Sequence, residues 1–127
     1  MNLNHLKDMN VLYVEDDENI ADTTLSVLEN FFHKIYHRDK AEYGLEVIEN
    51  EVVHLLITDI ELPGMNGFTL CEEIRKTDQN LPVFITTIHD DTHTLKKAIK
   101  LNLVDFFVKP ISGSTIKTAM SEIHKNV

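Results

Sequence analysis

Short apolar runs that end in acidic residues constrain the fold of this chain more than any other feature. Asn10–Val14 is followed by acids, His54–Asp59 is closed by one, and Pro82–Thr87 is a third run of similar length. Uninterrupted apolar runs of about four to eight residues are typical of strands that are buried on both faces. Amphipathic stretches with helical spacing lie between them. The pattern predicts an α/β domain with a doubly wound parallel sheet.

Five strand–helix units follow one another along the chain. The predicted strands are Asn10–Val14, Lys34–Arg38, His54–Asp59, Pro82–Thr87 and Val104–Val108. The first predicted helix has an apolar face that extends from Ile20 to Phe32. A length of 127 residues favours a single domain over residues 1–127, with residues 1–9 as a lead-in segment.

The charge balance and the lack of long apolar runs exclude several functions. The chain has 12 basic and 21 acidic residues and a net charge of −9. Nucleic acids and anionic membranes are bound by clustered Lys and Arg, so we expect this domain to bind neither. No apolar run approaches the ~18 residues of a membrane span, and no signal-peptide core is present, which predicts a cytoplasmic protein. Cys71 is the single cysteine, which excludes an intrachain disulfide.

Polar and charged side chains stand where the predicted strands end. Glu15 and Asp16 follow the first strand, Asp59 closes the third, Thr87 closes the fourth and Lys109 follows the fifth. Because the carboxyl ends of parallel strands meet at one edge of a sheet, we expect these residues to lie together. Carboxylates about 4 Å apart repel by roughly 4 kcal/mol per pair at an effective dielectric constant of about 20. Such a cluster needs a compensating cation.

A hard divalent cation suits this edge, and with it a carboxylate can accept a phosphoryl group. Mg²⁺ prefers oxygen ligands and binds through one or two carboxylates while keeping positions for water and phosphate. It can shield a phosphoryl oxygen while Asp59 attacks phosphorus and forms an aspartyl-phosphate. The Thr87 hydroxyl and the Lys109 ammonium group can bind the other oxygens. The group adds about −1.5 to −2 charges, enough to drive a local rearrangement.

Four motifs give the chain a resemblance to a known family. VLYVEDDE, ITDIELPGMNG, PVFITT and DFFVKP occur over essentially its whole length. In this order and spacing they resemble the receiver domain of bacterial two-component response regulators. The resemblance implies a flavodoxin-like (βα)5 fold with strand order 2-1-3-4-5, with Asp59 as the phosphoacceptor. It also implies a domain that catalyses only its own phosphorylation and slow dephosphorylation, and that is not otherwise an enzyme.

The resemblance assigns further roles at the site. The implied ligands of Mg²⁺, or of Mn²⁺ as its substitute, are the side chains of Glu15, Asp16 and Asp59 and the backbone carbonyl of Glu61. Thr87 and Lys109 would bind the phosphoryl group, and Phe106 would be the aromatic switch residue. The bond between Lys109 and Pro110 is usually cis in this family.

The resemblance also implies partners. A sensor histidine kinase or a phosphotransfer protein would supply the phosphoryl group from a phosphohistidine. The face formed by the fourth helix, the fifth strand and the fifth helix would then change its preference for an unidentified target or output domain. The last helix, TIKTAMSEIHK, has no arginine, so we do not predict the dimer of transcription-factor receivers. A stand-alone receiver, a phosphorelay intermediate and the first domain of a longer regulator all stay open.

Three residues depart from the common receiver pattern or stand where they could modulate the rates of phosphorylation and dephosphorylation. Ile88 stands where receivers more often have alanine, and it either crowds the site and slows phosphoryl transfer or packs on the following helix. Glu61 and His89 come two residues after Asp59 and Thr87, beside the path of attacking water. We expect them either to modulate the lifetime of the phosphorylated form or to be exposed loop side chains.

Three rival functions are weaker. A degenerate receiver, acting as a phosphorylation-independent interaction module, is supported only by Ile88. A haloacid-dehalogenase-type phosphohydrolase would share the spacing of Asp59 and Glu61, but LPGMNG lacks the small residue and threonine that such enzymes need. A transition-metal site at His89 and His93 is disfavoured because the acids beside them are typical of a helix cap.

Overall fold

Five parallel strands form one sheet in the described part of the protein. The computed structural model describes residues 4–87, 96, 100, 105–109 and 111–125. The strands are β1 (Asn10–Val14), β2 (Lys34–Arg38), β3 (Leu55–Asp59), β4 (Val83–Thr87) and β5 (Asp105–Val108). Their order is β2-β1-β3-β4-β5, and all neighbours are parallel. The predicted fold class and strand order are confirmed.

Helices accompany these strands, and several of them begin at polar side-chain caps. They are a short 3-10 helix (Asn4–Asp8), α1 (Glu18–Leu28), α2 (Ala41–Asn50), α3 (Gly67–Arg75) and the C-terminal helix (Gly113–Lys125). The Asp17 carboxylate accepts hydrogen bonds from the backbone N–H groups of Asn19 and Ile20, at 2.9 and 3.1 Å, and thereby caps α1. The Ser112 hydroxyl accepts from the N–H of Thr115 and caps the C-terminal helix. The helix predicted after β4 lies largely outside the described residues.

The first helix is shorter than its sequence pattern predicts. It ends at Leu28, and the apolar residues Phe31 and Phe32 lie in the turn that follows. Phe32 is nevertheless buried, because the turn folds back onto the same core as the helix. The helical periodicity therefore continues past the end of the helix.

Alternating side chains divide the core into two layers. One layer lies under α1 and the C-terminal helix and contains Val11, Tyr13, Leu55, Ile57 and Phe84 from the strands. The other lies under α2 and α3 and contains Leu12, Val14, Leu56 and Val83. Leu6 of the lead-in segment is buried in the first layer. Cys71 is buried in the second, and this burial raises the pKa of its thiol to about 12. Among the described residues, no helix is long and apolar enough to cross a membrane.

Gly67 joins the start of α3 to the end of β3. Its N–H donates to the carbonyl oxygen of Ile60 at 2.9 Å. A Cβ atom at Gly67 would collide with the backbone carbonyl oxygen of Asp59 and lie 3.1 Å from the Cα of Ile60. Backbone atoms cannot turn aside as a flexible side chain can. A residue larger than glycine must therefore displace either α3 or the end of β3.

We expect Gly67→Ala to lower the free energy of unfolding by about 1–3 kcal/mol, the usual cost of overpacking. Urea unfolding measures this change. Gly113→Ala is the matched control, because a Cβ there meets only ring atoms of Phe31 at 3.7 and 3.8 Å. Since alanine is the better helix former, the control should be neutral or more stable by up to about 1 kcal/mol. A Gly67→Ala variant as stable as the control would contradict the prediction.

Candidate functional site

Glu15 stands at the end of β1 and is held by its neighbours through both backbone and side chain. It is only 1% exposed. Its backbone N–H donates to the carbonyl oxygen of Arg38 at 3.0 Å, and its own carbonyl oxygen lies 3.0 Å from Nε2 of His37. Its Oε2 accepts from the N–H of Asp17 at 3.3 Å. Asp16, between them, is exposed at the same edge of the sheet.

Asp59 closes β3 beside these two acids. Its residue is 7% exposed, so its carboxylate lies in a nearly closed recess. One carboxylate oxygen from each of Glu15, Asp16 and Asp59 can be chosen such that all three lie within 4.8 Å of one another. The structure thus brings together the three acids that the sequence places at strand ends.

The Lys109 ammonium group lies between two of these acids. Its Nζ is 2.7 Å from Oε1 of Glu15 and 3.2 Å from Oδ2 of Asp59. The backbone N–H of Lys109 donates to the carbonyl oxygen of Thr87 at 2.9 Å, which ties the end of β5 to the end of β4. Lys109 is therefore fixed at its backbone and paired at its amine.

Burial and pairing shift the titration of this cluster. Burial raises the pKa of the Glu15 carboxyl, and the charge of Asp59 raises it further, against the opposing effect of Lys109. Burial lowers the pKa of Lys109, but the hydrogen bond to Glu15 and the charge of Asp59 outweigh it, so the pKa is raised. The amine is consequently protonated at neutral pH. Two carboxyl groups contact the ammonium group and Asp16 adds a third beside them, so acidic groups outnumber the amine in the cluster.

These oxygens suit a hard divalent cation. Octahedral coordination of Mg²⁺ at about 2.1 Å places neighbouring ligand oxygens about 3 Å apart and opposite ones about 4 Å apart. The three carboxylate oxygens lie within 4.8 Å, and the exposed Asp16 can close the remaining difference. Glu61 lies two residues beyond Asp59 in an exposed stretch of the following loop, where its backbone carbonyl is the predicted fourth ligand. The donor set therefore fits Mg²⁺.

The other predicted site residues are placed less completely. Thr87 closes β4 and is buried. Phe106 lies in β5, where its backbone is paired to Ile85. The structure describes this backbone but not the Phe106 side chain. Three predicted residues lie outside the described residues altogether: Ile88, His89 and Pro110.

Sequence reasoning missed residues that support the site from neighbouring strands and helices. His37 contacts the backbone of Glu15, and Gly67 packs against the backbone of Asp59. Thr86 is the register partner of Asp59, and its buried hydroxyl has no hydrogen-bond partner in the part of the chain that the structure describes. Of these three residues, only Gly67 could have been found from the sequence, because it begins a helix directly after the loop that follows Asp59.

Comparison with known proteins identifies the family that shares this arrangement. A sequence model of the family described as response regulator receiver domain matches residues 11–121. The chain is 30% identical over 106 residues to the transcriptional regulatory protein AfsQ1 of Streptomyces coelicolor, covering 84% of this chain and 47% of that protein. It is 28% identical to a cyclic di-GMP phosphodiesterase of Thermotoga maritima, covering 93% and 32%. The chain spans less than half the length of these two curated relatives.

Solved structures share the fold. A CheY-like response regulator receiver domain protein from Methanospirillum hungatei superposes with a TM-score of 0.83 at 25% identity, covering 94% of this chain and 95% of that one. The signal receiver domain of an HD domain-containing protein from Pseudomonas fluorescens superposes with a TM-score of 0.84 at 21% identity, covering 94% and 96%.

The raised pKa of Glu15 predicts how stability depends on pH without a divalent cation. A carboxyl group whose pKa is raised by folding stabilises the fold when the pH is below its ordinary pKa, here 4.5. It loses that contribution as the pH rises through the folded-state pKa. Glu15→Gln lacks this titration. Its free energy of unfolding should therefore improve relative to the wild type as pH rises above about 4.5, in urea titrations with EDTA.

Glu49→Gln, at an exposed position of α2, is the control for that series. A free energy of unfolding of Glu15→Gln that instead falls relative to the wild type as pH rises would show that folding lowers the pKa of Glu15.

Proposed function

This chain belongs to the family of response regulator receiver domains, and on that premise we propose that it accepts a phosphoryl group on Asp59 in a Mg²⁺-dependent reaction. The observation that carries the proposal is the grouping of Glu15, Asp16 and Asp59 with the Lys109 amine at one edge of the sheet. The family match over residues 11–121 supports treating residues 1–127 as one receiver domain. The degenerate alternative gains no support, because this acidic cluster and its amine are competent for the reaction.

The donor is the phosphohistidine of a sensor histidine kinase or of a phosphotransfer protein. A carboxylate oxygen of Asp59 attacks phosphorus, the P–N bond breaks, and the electron pair returns to the imidazole nitrogen, which is then protonated. Mg²⁺, or Mn²⁺ as a substitute, held by the acidic side chains and the Glu61 carbonyl, would shield the charge on the phosphoryl oxygens. Lys109 binds a phosphoryl oxygen in exchange for Asp59, and the Thr87 hydroxyl donates to another.

Phosphorylation then shifts a pre-existing equilibrium of the domain. The phosphoryl group draws Thr87 and Lys109 toward itself, and their backbone hydrogen bond couples the ends of β4 and β5. Phe106 in β5 responds as the aromatic switch residue. The face made by the helix before β5, β5 itself and the C-terminal helix thereby changes its preference for a downstream target or output domain. We propose that this domain does not itself bind nucleic acid, in keeping with its net charge of −9.

Three residues around the site would set the rate of this switch. Ile88→Ala should accelerate phosphorylation by acetyl phosphate severalfold, because a smaller side chain relieves crowding at the site. Glu61→Ala and His89→Ala should alter the lifetime of the aspartyl-phosphate, followed by loss of the adduct after removal of the donor. Unchanged rates in Ile88→Ala would remove it from the mechanism, and unchanged lifetimes would make the other two plain loop residues.

Intact-mass analysis after treatment with acetyl phosphate and Mg²⁺ tests the central proposal. The wild type should gain one phosphoryl group, and Asp59→Asn should gain none, because an amide is a poor nucleophile. EDTA should prevent the reaction of the wild type, and Mn²⁺ should restore it.

Asp22→Asn, which removes an exposed acid of α1 away from the site, is the matched control and should react like the wild type. An adduct of equal yield in Asp59→Asn, or in the wild type with EDTA, would refute the assignment.

A further inference from the structure

His37 connects the edge strand β2 to the turn that carries the acids. Its Nε2 lies 3.0 Å from the carbonyl oxygen of Glu15. A carbonyl oxygen only accepts hydrogen bonds, so Nε2 carries the proton and donates. The N–H of Glu15 donates in turn to the carbonyl oxygen of Arg38. Both peptide groups that flank Glu15 are therefore tied to the end of β2.

The imidazole ring is itself held in place. His37 is the register partner of Tyr13 on β1, and their ring centroids are 5.5 Å apart at an angle of 31°. Tyr13 is fully buried in the core layer beneath, whereas His37 is half-buried. One side of the imidazole thus rests on a fixed aromatic ring while Nε2 reaches the backbone of Glu15. The imidazole ring therefore links Tyr13 in the core to the turn that contains Glu15.

The peptide that His37 holds is the one that leads to Asp16. The carbonyl of Glu15 belongs to the Glu15–Asp16 peptide group, and α1 begins at Glu18 behind the cap Asp17. The orientation of this peptide group therefore sets the direction in which the Asp16 side chain leaves the buried strand. Asp16 is exposed, so burial does little to fix the direction of its side chain.

We propose that His37 is a positioning residue for the divalent-cation site. It orients the Glu15–Asp16 peptide so that the carboxylates of both residues face Asp59. The proposal rests on the proposed function, because it requires a cation at this edge. Groups that orient metal ligands typically change metal affinity by about 10- to 100-fold when they are removed. Glu15 would keep its bonds to Arg38 and Lys109, so we expect a loss at the lower end, about tenfold.

A pair of substitutions separates the hydrogen bond from simple packing. His37→Gln keeps an N–H donor at a similar reach, whereas His37→Met has similar length and no donor. His54→Met is the matched control, since Nδ1 of His54 accepts from the N–H of Asn10 at 2.9 Å. That bond also joins a histidine to the backbone of β1, but at the start of the strand, away from the acidic cluster at its end.

The measurements are Mg²⁺ affinity by calorimetry, stability by urea unfolding in EDTA, and phosphorylation rate against Mg²⁺ concentration with acetyl phosphate. His37→Met should raise the Kd for Mg²⁺ about tenfold, and His37→Gln should restore it to within about threefold of the wild type. His54→Met should leave the Kd unchanged. At saturating Mg²⁺, His37→Met should regain the wild-type rate, because Asp59 and Lys109 are untouched.

Several outcomes would overturn the inference. They are a wild-type Kd in His37→Met, an equal loss in His37→Met and His37→Gln, and a loss in His54→Met as large as in His37→Met. A wild type that does not bind Mg²⁺ would instead refute the proposed function, and with it this inference. If His37→Met does not fold, His37→Asn replaces it, because its shorter amide cannot reach the Glu15 carbonyl.

Discussion

Crowded negative charge at one edge of the sheet is the constraint on which the rest of the structure depends. Glu15 and Asp59 are both nearly buried, and the Lys109 ammonium group is shared between them. This sharing makes a tolerable arrangement without a cation, yet it leaves net negative charge for a cation to neutralise. It also pairs the amine with Asp59. Under the proposed function, a phosphoryl group on Asp59 would take over this pairing, and the contact would couple phosphorylation to the end of β5.

Much of the fold follows from the sequence because its signals are local. Uninterrupted apolar runs indicate doubly covered strands, and β1, β3 and β4 form where those runs lie. The end of α1 was predicted wrongly because Phe31 and Phe32 continue its apolar spacing from a turn. In this turn the chain folds back over the core layer of the helix, so the periodicity locates the core better than it locates the end of α1.

The acids of the site could be predicted because the carboxyl ends of parallel strands line one edge of the sheet, and the strand order that the resemblance implies sets β1 beside β3. Supporting contacts could not, because they depend on the register between neighbouring strands, which strand order alone does not give. His37 is one of several histidines that look alike in the sequence, and only the register of β2 on β1 places it beside Tyr13 and Glu15. The buried hydroxyl of Thr86 likewise becomes notable only when the register sets it opposite Asp59.

The close contact between Gly67 and the backbone of Asp59 has a practical consequence for following the switch in solution. No side chain separates the start of α3 from the backbone of Asp59, so the two are in direct contact. A label on an exposed position of α3, such as Glu72, would therefore lie on the helix that contacts the proposed phosphoacceptor. Paired with a second label on the C-terminal helix, it would measure the distance between the two helices. Because α3 contacts the backbone of Asp59, a change in that distance would describe how the C-terminal helix moves relative to the site.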